Sequence, residues 1–175
     1  MRIDGYEAMV DKLAKENSQE FIDNSSMEHA AILIQKMIEN AKKSIDIFSG
    51  AFNKNIYERV ALINAAKKFI SNGGKLMVIV QNNNFDPRSH KFFNAMIQDC
   101  ASQVANEQIK LFSLPEKMSE KLNAHFLIKD NIGFRYEANK EKHEAIACFN
   151  DLEVAQSLIN LFDALIERAT ARSLV

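Results

Sequence analysis

Apolar residues follow two spacings along the chain, one typical of helices and the other of strands. From Ala30 to Ala41 they recur every three or four positions, and Ser25 with Glu28 forms a capping box. This pattern predicts a helix that ends near Lys43. The apolar run SIDIFSG comes directly after it and predicts a strand.

The same alternation continues through the middle of the chain. Helical spacing from Ile56 to Ile70 is followed by Gly73 and Gly74, residues that favour the left-handed backbone of a helix C-terminus. The apolar strand KLMVIVQ is predicted next. A third helix is predicted around residues 91–101, and the alternating segment QIKLFSLP predicts a strand behind it.

Three closely spaced strands and one long helix complete the pattern. The strands are predicted near residues 124–129, 132–137 and 144–149, and the helix has Asn150 as its N-cap and Glu153 in its first turn. Alternating helices and strands followed by adjacent strands are typical of one fold class. The sequence therefore predicts an α/β fold with a mixed β-sheet flanked by helices.

The first 24 residues differ in character from the rest. Tyr6, Met9, Val10 and Leu13 form one short apolar stripe, and the polar run KENSQE follows. We predict an appended amphipathic helix in an N-terminal extension, residues 1–24, beside one domain spanning residues 25–175. Its expected role is to cover the edge of that domain, and contact with a partner or a second subunit is the alternative.

Composition and charge narrow the functional classes. A chain of 175 residues with 47% hydrophobic residues has the size of one domain, and its net charge of −1 gives no general attraction to a polyanion. The N-terminus carries acids without an apolar leader, and no long apolar run follows, so we predict a soluble cytoplasmic protein without a membrane span. Cys100 and Cys148 are predicted to be buried, reduced thiols. No metal-ligand or cofactor motif is present, so neither a metal nor a cofactor is expected.

Two long segments resemble a known family. Residues 37–80, MIENAKKSIDIFSGAFNKNIYERVALINAAKKFISNGGKLMVIV, are similar to the first half of a phospholipase D-like domain. The three strands and the closing helix DLEVAQSLINLFDALIERA are similar to its second half. The resemblance covers roughly residues 28–168, through its order of elements rather than through one intact motif. It implies a phospholipase D-like fold.

The family motif, H-x-K-x4-D, is altered in this chain. With Asp130 as the motif Asp, Asn123 stands at the nucleophilic His and His125 at the phosphate-binding Lys. The family's downstream Gly-Ser pair falls near Glu137 and Ala138. Its phosphate-binding Asn corresponds to either Asn139 or Lys140.

The altered positions change the chemistry that the resemblance implies. In the family one His forms a phosphohistidine without a metal, and a second His, from another copy of the motif, protonates the leaving group. A single-motif chain must therefore form a homodimer to supply both. Asn123 cannot form the phosphohistidine, and a neutral imidazole at position 125 lacks the permanent charge of a Lys.

The alternation of the predicted hairpin still groups chemically useful side chains. Strand pairing brings His125, Arg135 and Glu137 onto one face, with Asp130 at the turn. An ordinary cross-strand polar network is the structural alternative. The candidate catalytic residues are thus His125, Asp130 and Glu137. The candidate phosphate-binding residues are Asn123, Arg135, Asn139 and Lys140.

Two functions follow as hypotheses. The first is a catalytically impaired binding or regulatory module, in a bacterial or phage-type cytosolic setting, that binds a protein partner, a nucleic acid or a phosphorylated ligand. The alternative is a homodimeric, metal-independent phosphodiesterase or nuclease that uses His125. Whether the chain is an enzyme stays open at this point. His29 and His90 are expected at the surface, and His143 in a charged loop beside the motif cleft.

Overall fold

The computed structural model describes residues 2–82, 84–119, 121–139 and 144–174. Its helices are α1 (Ile3–Lys15), α2 (Met27–Glu39), α3 (Lys54–Tyr57), α4 (Val60–Ser71), α5 (Lys91–Asp99), α6 (Ala101–Ala105), α7 (Glu116–Ser119) and α8 (Leu152–Ile166), with a 3₁₀ turn at Pro87–Ser89. Its strands are β1 (Ile22–Asn24), β2 (Ser44–Ser49), β3 (Lys75–Val80), β4 (Ile109–Ser113), β5 (His125–Lys129), β6 (Gly133–Asn139), β7 (Glu144–Cys148) and β8 (Thr170–Arg172).

Within these residues the eight strands form one sheet, in the order β1-β7-β6-β5-β2-β3-β4-β8. Neighbours β2, β3 and β4 are parallel, and every other neighbouring pair is antiparallel. The predicted mixed sheet is therefore confirmed. At its centre β2 pairs with β3 in parallel and with β5 in antiparallel fashion, so the carboxyl end of β2 lies beside the start of β5.

Helices cover both faces of the sheet. On one face α1 packs against α2 and α2 against α4, and their apolar side chains join the larger core cluster. On the other face α8 packs against β5 and β6, where Leu158, Phe162 and Leu165 enter a second cluster with Phe126. Central strands are thus buried on both sides, which is why β2 and β3 read as nearly continuous apolar runs.

Two helices begin one residue later than the sequence predicts. The N-cap of α2 is Ser26 rather than Ser25, and the N-cap of α8 is Asp151 rather than Asn150. Each capping oxygen accepts the backbone N–H three positions later, over 3.1 Å. In both places two adjacent residues have side chains that can cap, and the backbone geometry selects the second.

The ends and interruptions of the helices differ more strongly from the predicted ones. α2 ends at Glu39 rather than near Lys43, and the repeat predicted from Ile56 to Ile70 is divided between α3 and α4. Val60 therefore begins α4 and is 74% exposed instead of facing the core. The predicted stop of α4 is confirmed, because Gly73 has a positive φ of 91° and Gly74 donates its N–H to the Phe69 carbonyl.

The N-terminal segment contributes both a helix and a strand. α1 forms where the apolar stripe predicts it, and Tyr6, Val10 and Leu13 are buried against the domain. β1 pairs with β7 at one edge of the sheet, which the sequence does not predict. A domain boundary at residue 24 stays a prediction, and the segment before it supplies part of the sheet.

Three further findings complete the description. The short strand β8 forms the opposite edge of the sheet beside β4, a strand that the sequence also does not predict. In the described ranges, no helix combines the length and the apolar character that crossing a membrane requires. Cys100 and Cys148 are buried and not bonded to each other, as predicted.

Candidate functional site

A cleft of about 770 Å³ lies at the carboxyl ends of the central parallel strands. Ser49 and Gly50 at the end of β2, and Gln81 after β3, line it together with His125 at the start of β5. The carboxyl edge of parallel strands is where ligands commonly bind in α/β sheets, because the loops diverge there. Its volume suits a small-molecule ligand.

The predicted hairpin brings its polar side chains into this cleft. His125 lies opposite Glu137, and Leu127 opposite Arg135, in the β5–β6 register. Nη2 of Arg135 donates to Oε2 of Glu137 over 3.0 Å, and Nδ1 of His125 lies 3.9 Å from the same oxygen. Arg135 and Glu137 are only 4% and 5% exposed. The predicted grouping on one face is observed, as a buried charge pair with a half-buried imidazole above it.

A residue outside the predicted set extends the network. Asn24 of β1 is 2% exposed, and its Oδ1 accepts a hydrogen bond from Nε of Arg135 over 3.0 Å. The guanidinium is thereby held from both sides, by an amide and by a carboxylate. A register shift between β6 and β7 falls between Tyr136 and Asn139, and such bulges redirect side chains beside functional sites.

The backbone of Gly50 fixes the imidazole of His125. Its N–H donates to Nε2 of His125 over 3.0 Å. Nε2 therefore carries a lone pair, and in the neutral ring the proton lies on Nδ1, toward Glu137. A Cβ at position 50 would lie 2.9 Å from Nε2, so only glycine allows this approach. A glycine directly after an apolar strand is the signal in the sequence that could have found this contact.

Gln81 joins two other segments at the cleft. It is 7% exposed, and its Nε2 donates to the carbonyl oxygen of Leu122 over 2.8 Å. The segment before β5 is thereby tied to the end of β3. This bond helps to define where the motif strand begins.

A second histidine, His90, also lines the cleft, contrary to the expected surface position. His90 is 4% exposed and packs among the rings of Phe52, Phe85 and Phe93. The expectation is wrong because the 3₁₀ turn before α5 directs this side chain inward. Burial lowers the pKa of His90, and nearby Glu58 opposes that shift. His29, half-buried and stacked on Tyr6 at 3.8 Å, is not an open surface residue either.

Glu58 and Lys54 connect the segment after β2 to the segment that carries His90. Oε1 of Glu58 accepts the backbone N–H of Lys91 over 3.0 Å and lies 3.4 Å from Nδ1 of His90. Nζ of Lys54 donates to the Ser89 carbonyl over 3.1 Å. The loop after β2 and the loop after β3 are therefore held together by two side chains that the sequence did not single out.

Asp130 does not join the cleft. It lies beyond the far end of β5, where its carboxylate accepts the backbone N–H groups of Lys42, Lys43 and Ser44 over 2.6 to 3.1 Å. Burial alone would raise its pKa, but these hydrogen bonds outweigh burial and lower it. The catalytic role expected for Asp130 has no geometric support, since the side chain instead joins the β5–β6 turn to the start of β2.

Two other predicted ligands are likewise not part of the cleft lining. Among the described residues that line the cleft, neither Asn123 nor Asn139 is present. Asn123 is exposed, and Asn139 lies at the end of β6 opposite Glu144. Lys140 and His143 lie outside the described residues. In the described part of the chain, no group of three or more His, Cys, Asp or Glu side chains is arranged to hold a metal ion.

Solved structures share this fold. The chain is similar to a phospholipase D family member, Nuc from Salmonella typhimurium, at 15% identity and a TM-score of 0.61, over 87% of this chain and 97% of that one. NucT from Helicobacter pylori aligns at 15% identity and a TM-score of 0.58, over 87% and 100%. TrmBL2, an archaeal chromatin protein with a novel mode of DNA binding, aligns at 17% identity and a TM-score of 0.62, over 97% and 61%.

Sequence comparison identifies one family. No curated protein sequence matches the chain. The family described as "Domain of unknown function (DUF7931)" matches residues 26–174, which include every residue named above as lining the cleft. The structural neighbours confirm the phospholipase D-like fold that the sequence predicts. The chain therefore belongs to the DUF7931 family and has a phospholipase D-like fold.

Proposed function

We propose that this domain is a catalytically impaired binding module, whose cleft holds a phosphate-bearing ligand without attacking it. The observation that carries the proposal is the hydrogen bond from the Gly50 N–H to Nε2 of His125. An imidazole attacks phosphorus through a nitrogen lone pair, and here that lone pair accepts a backbone hydrogen bond. Attack through Nε2 would first require the bond to Gly50 to break.

The altered motif supports the same reading. Asn123, at the position of the family nucleophile, has no nucleophilic nitrogen and is exposed outside the cleft lining. Nδ1 of His125 faces Glu137, so the other ring nitrogen is directed toward a buried carboxylate rather than toward a ligand. The alternative, a phosphodiesterase that uses His125, needs a rearrangement of both contacts.

Positive charge in the cleft supports an anionic ligand. The described lining residues include Lys54 and Arg135 against one carboxylate, Glu137, whereas the whole chain has a net charge of −1. Nε and Nη2 of Arg135 are bonded to Asn24 and Glu137, and among the described residues no acceptor is bonded to Nη1. A planar guanidinium and an ammonium at the rim are suited to phosphate oxygens.

The macromolecular context of the ligand is a further part of the proposal. A structural neighbour is a chromatin protein that binds DNA, which favours a nucleic acid as one source of the phosphate group. A homodimer remains the expected assembly, because single-motif domains of the resembled family pair their clefts. A protein partner at the N-terminal helix is the alternative.

Two measurements test the proposal. Without metal and with a chelator present, the purified chain should cleave neither an activated phosphodiester nor single-stranded DNA above the level of a His125→Ala variant. Inorganic phosphate should raise the melting temperature beyond an equal ionic strength of chloride, and Lys54→Gln should weaken that effect. Lys12→Gln is the matched control, since Lys12 of α1 is 72% exposed and does not line the cleft.

Metal-independent cleavage that His125→Ala abolishes would overturn the claim of impaired catalysis. Equal melting temperatures in phosphate and chloride would overturn the claim of phosphate binding. Impaired catalysis and phosphate binding can therefore be disproved independently of each other.

A further inference from the structure

We infer that His90 accepts a hydrogen bond from a hydroxyl group of the ligand, so that the cleft selects a hydroxyl-bearing phosphate ester over an ester without a hydroxyl. The inference rests on the proposed phosphate-binding function and names the ligand class of the same cleft. It assigns a binding role to a residue outside the altered motif. Glu58 determines which nitrogen of His90 can accept the hydrogen bond, and Lys54 determines where the phosphate lies.

The burial of His90 leaves one edge of its ring for a ligand. The side chain is only 5% exposed, and the rings of Phe52, Phe85 and Phe93 enclose it at centroid distances of 5.8, 5.0 and 6.4 Å. His90 nevertheless lines the cleft. Nδ1 has no contact with solvent and lies beside Oε1 of Glu58, so the inference places the opposite, Nε2 edge of the ring toward the cleft.

The position of Glu58 determines which nitrogen carries the proton. Nδ1 lies 3.4 Å from Oε1 of Glu58, too poorly aligned for a full hydrogen bond but close enough for strong electrostatic interaction. A lone pair on Nδ1 would be repelled by the carboxylate, so the proton lies on Nδ1 and the lone pair on Nε2. Burial lowers the pKa of the ring, which keeps it neutral near pH 7 even though Glu58 opposes the shift and Lys54 adds to it.

The two cleft histidines differ in what they offer. Nε2 of His125 already accepts the Gly50 N–H. In the described part of the chain, no donor is bonded to Nε2 of His90. A lone pair repels a phosphate oxygen and accepts a hydrogen bond from a hydroxyl. A phosphate ion at this point would therefore be unfavourable, whereas an alcohol would satisfy a nearly buried acceptor.

Lys54 places the phosphate close to that hydroxyl. Its ammonium donates to the carbonyl of Ser89, the residue directly before His90, over 3.1 Å. The cation and the imidazole acceptor thus lie on the same wall of the cleft. A ligand that uses both must carry its hydroxyl a few bonds from its phosphate, as glycerol phosphates, sugar phosphates and nucleotides do.

The experiment compares two esters that differ only in their hydroxyl groups. Titration calorimetry measures the affinities of glycerol 3-phosphate and n-propyl phosphate for the full chain and for a His90→Phe variant. We expect the wild-type chain to prefer the glycerol ester about tenfold, the usual size of one hydrogen bond to a nearly buried acceptor. His90→Phe keeps an aromatic ring among the phenylalanines and removes the acceptor, so both esters should bind it equally.

A second measurement needs no variant. The ¹⁵N resonance of Nε2 in His90 should shift when glycerol 3-phosphate is added and stay constant with n-propyl phosphate. This readout decides the question even if His90→Phe fails to fold.

The outcomes separate the two proposals. If the two esters bind the wild-type chain equally, or His90→Phe retains the preference, the inference is overturned while phosphate binding stands. If glycerol 3-phosphate is preferred but the Nε2 resonance does not move, another residue contacts the hydroxyl and the inference also fails. If neither ester nor inorganic phosphate binds, both proposals are wrong.

Discussion

The backbone N–H of Gly50 and Nε2 of His125 are joined over 3.0 Å, across 75 positions of the chain. The bond connects the carboxyl end of β2 to the start of the neighbouring antiparallel strand β5. It orders the imidazole and engages the lone pair that phosphoryl transfer would use. Gly50 therefore fixes the position of the His125 imidazole and also occupies the nitrogen lone pair that nucleophilic attack would need.

Replacement of Gly50 by Ala should destabilise the fold through His125. The new Cβ would lie 2.9 Å from Nε2, so the imidazole must move. We expect a loss of about 1–2 kcal/mol in the free energy of unfolding, as for other overpacked sites. Urea denaturation measures it, and a double-mutant cycle with His125→Ala isolates the contact. Additive effects of the two substitutions would contradict this explanation.

Replacement of Arg135 by Met should lower the free energy of unfolding far more than the loss of a surface ion pair does. Arg135 and Glu137 are 4% and 5% exposed, so the substitution leaves a buried carboxylate without its guanidinium. The expected loss is about 3 kcal/mol or more. Lys15→Met is the control, because Lys15 pairs with Asp11 at an exposed helix surface and its loss should cost under about 1 kcal/mol. Equal losses for the two variants would exclude a buried, structurally important pair.

The sequence predicts the local part of this site and misses the long-range part. The sequence groups His125, Arg135 and Glu137 as the structure does, because strand alternation and one short turn determine their relation. Asn24 on β1 and Gly50 directly after β2 reach the cluster from distant parts of the chain. Strand order in the sheet controls those contacts, and no short-range pattern encodes it.

Local geometry explains where the structure places His90 and Asp130. His90 precedes a helix and was expected at the surface, but a 3₁₀ turn directs it inward. The motif position of Asp130 predicts a role in the site, whereas in the structure the residue has a φ of 52° at the turn and its carboxylate accepts three backbone N–H groups. Such roles depend on backbone conformation, which residue types alone do not specify.

Asp130→Asn should weaken the fold at neutral pH and have little effect in acid. The amide keeps the side-chain shape and tolerates the positive φ, but it loses the charge that strengthens the hydrogen bonds from Lys42, Lys43 and Ser44. We expect a loss of about 1–2 kcal/mol near pH 7. Because these bonds lower the pKa of Asp130 in the folded state, its contribution is present above its ordinary pKa and is lost as pH falls through the folded value.

Chemical denaturation at several acidic pH values checks whether the contribution of Asp130 to stability decreases as the pH falls. The difference between wild type and Asp130→Asn should shrink as pH falls below about 4. A difference that stays constant with pH would show that shape rather than charge is responsible.

The oligomeric state is a separate prediction. The phospholipase D-like resemblance implies a symmetric homodimer. Phe21, directly before β1, and Ile146 on the neighbouring strand β7 remain 59% and 39% exposed, as apolar residues at an interface would be in one isolated chain. Multi-angle light scattering should give the mass of two chains. A monomer at high micromolar concentration would contradict the prediction.

Asp46 should make the protein less stable as pH rises toward neutrality. This β2 residue is 7% exposed between Met77 and Ile128, and its Oδ1 has no hydrogen-bond partner in the described part of the chain. Burial, with a smaller effect of Asp163 on α8, raises its pKa to about 7. Between its ordinary pKa and about 7 the folded state keeps a proton that the unfolded state has lost, so stability falls across that window and levels off above it.

Asp46→Asn removes this titration. We expect the variant to be more stable than wild type by about 2 kcal/mol at about pH 8, with a smaller gain or none at about pH 5. Asp163→Asn is the matched control and should give only a small gain, since burial rather than Asp163 is the main cause of the raised pKa. Thermal and urea denaturation at both pH values decide the matter. If Asp46→Asn shows the same advantage at both, or loses stability at the higher pH, Asp46 is not the buried titrating carboxylate.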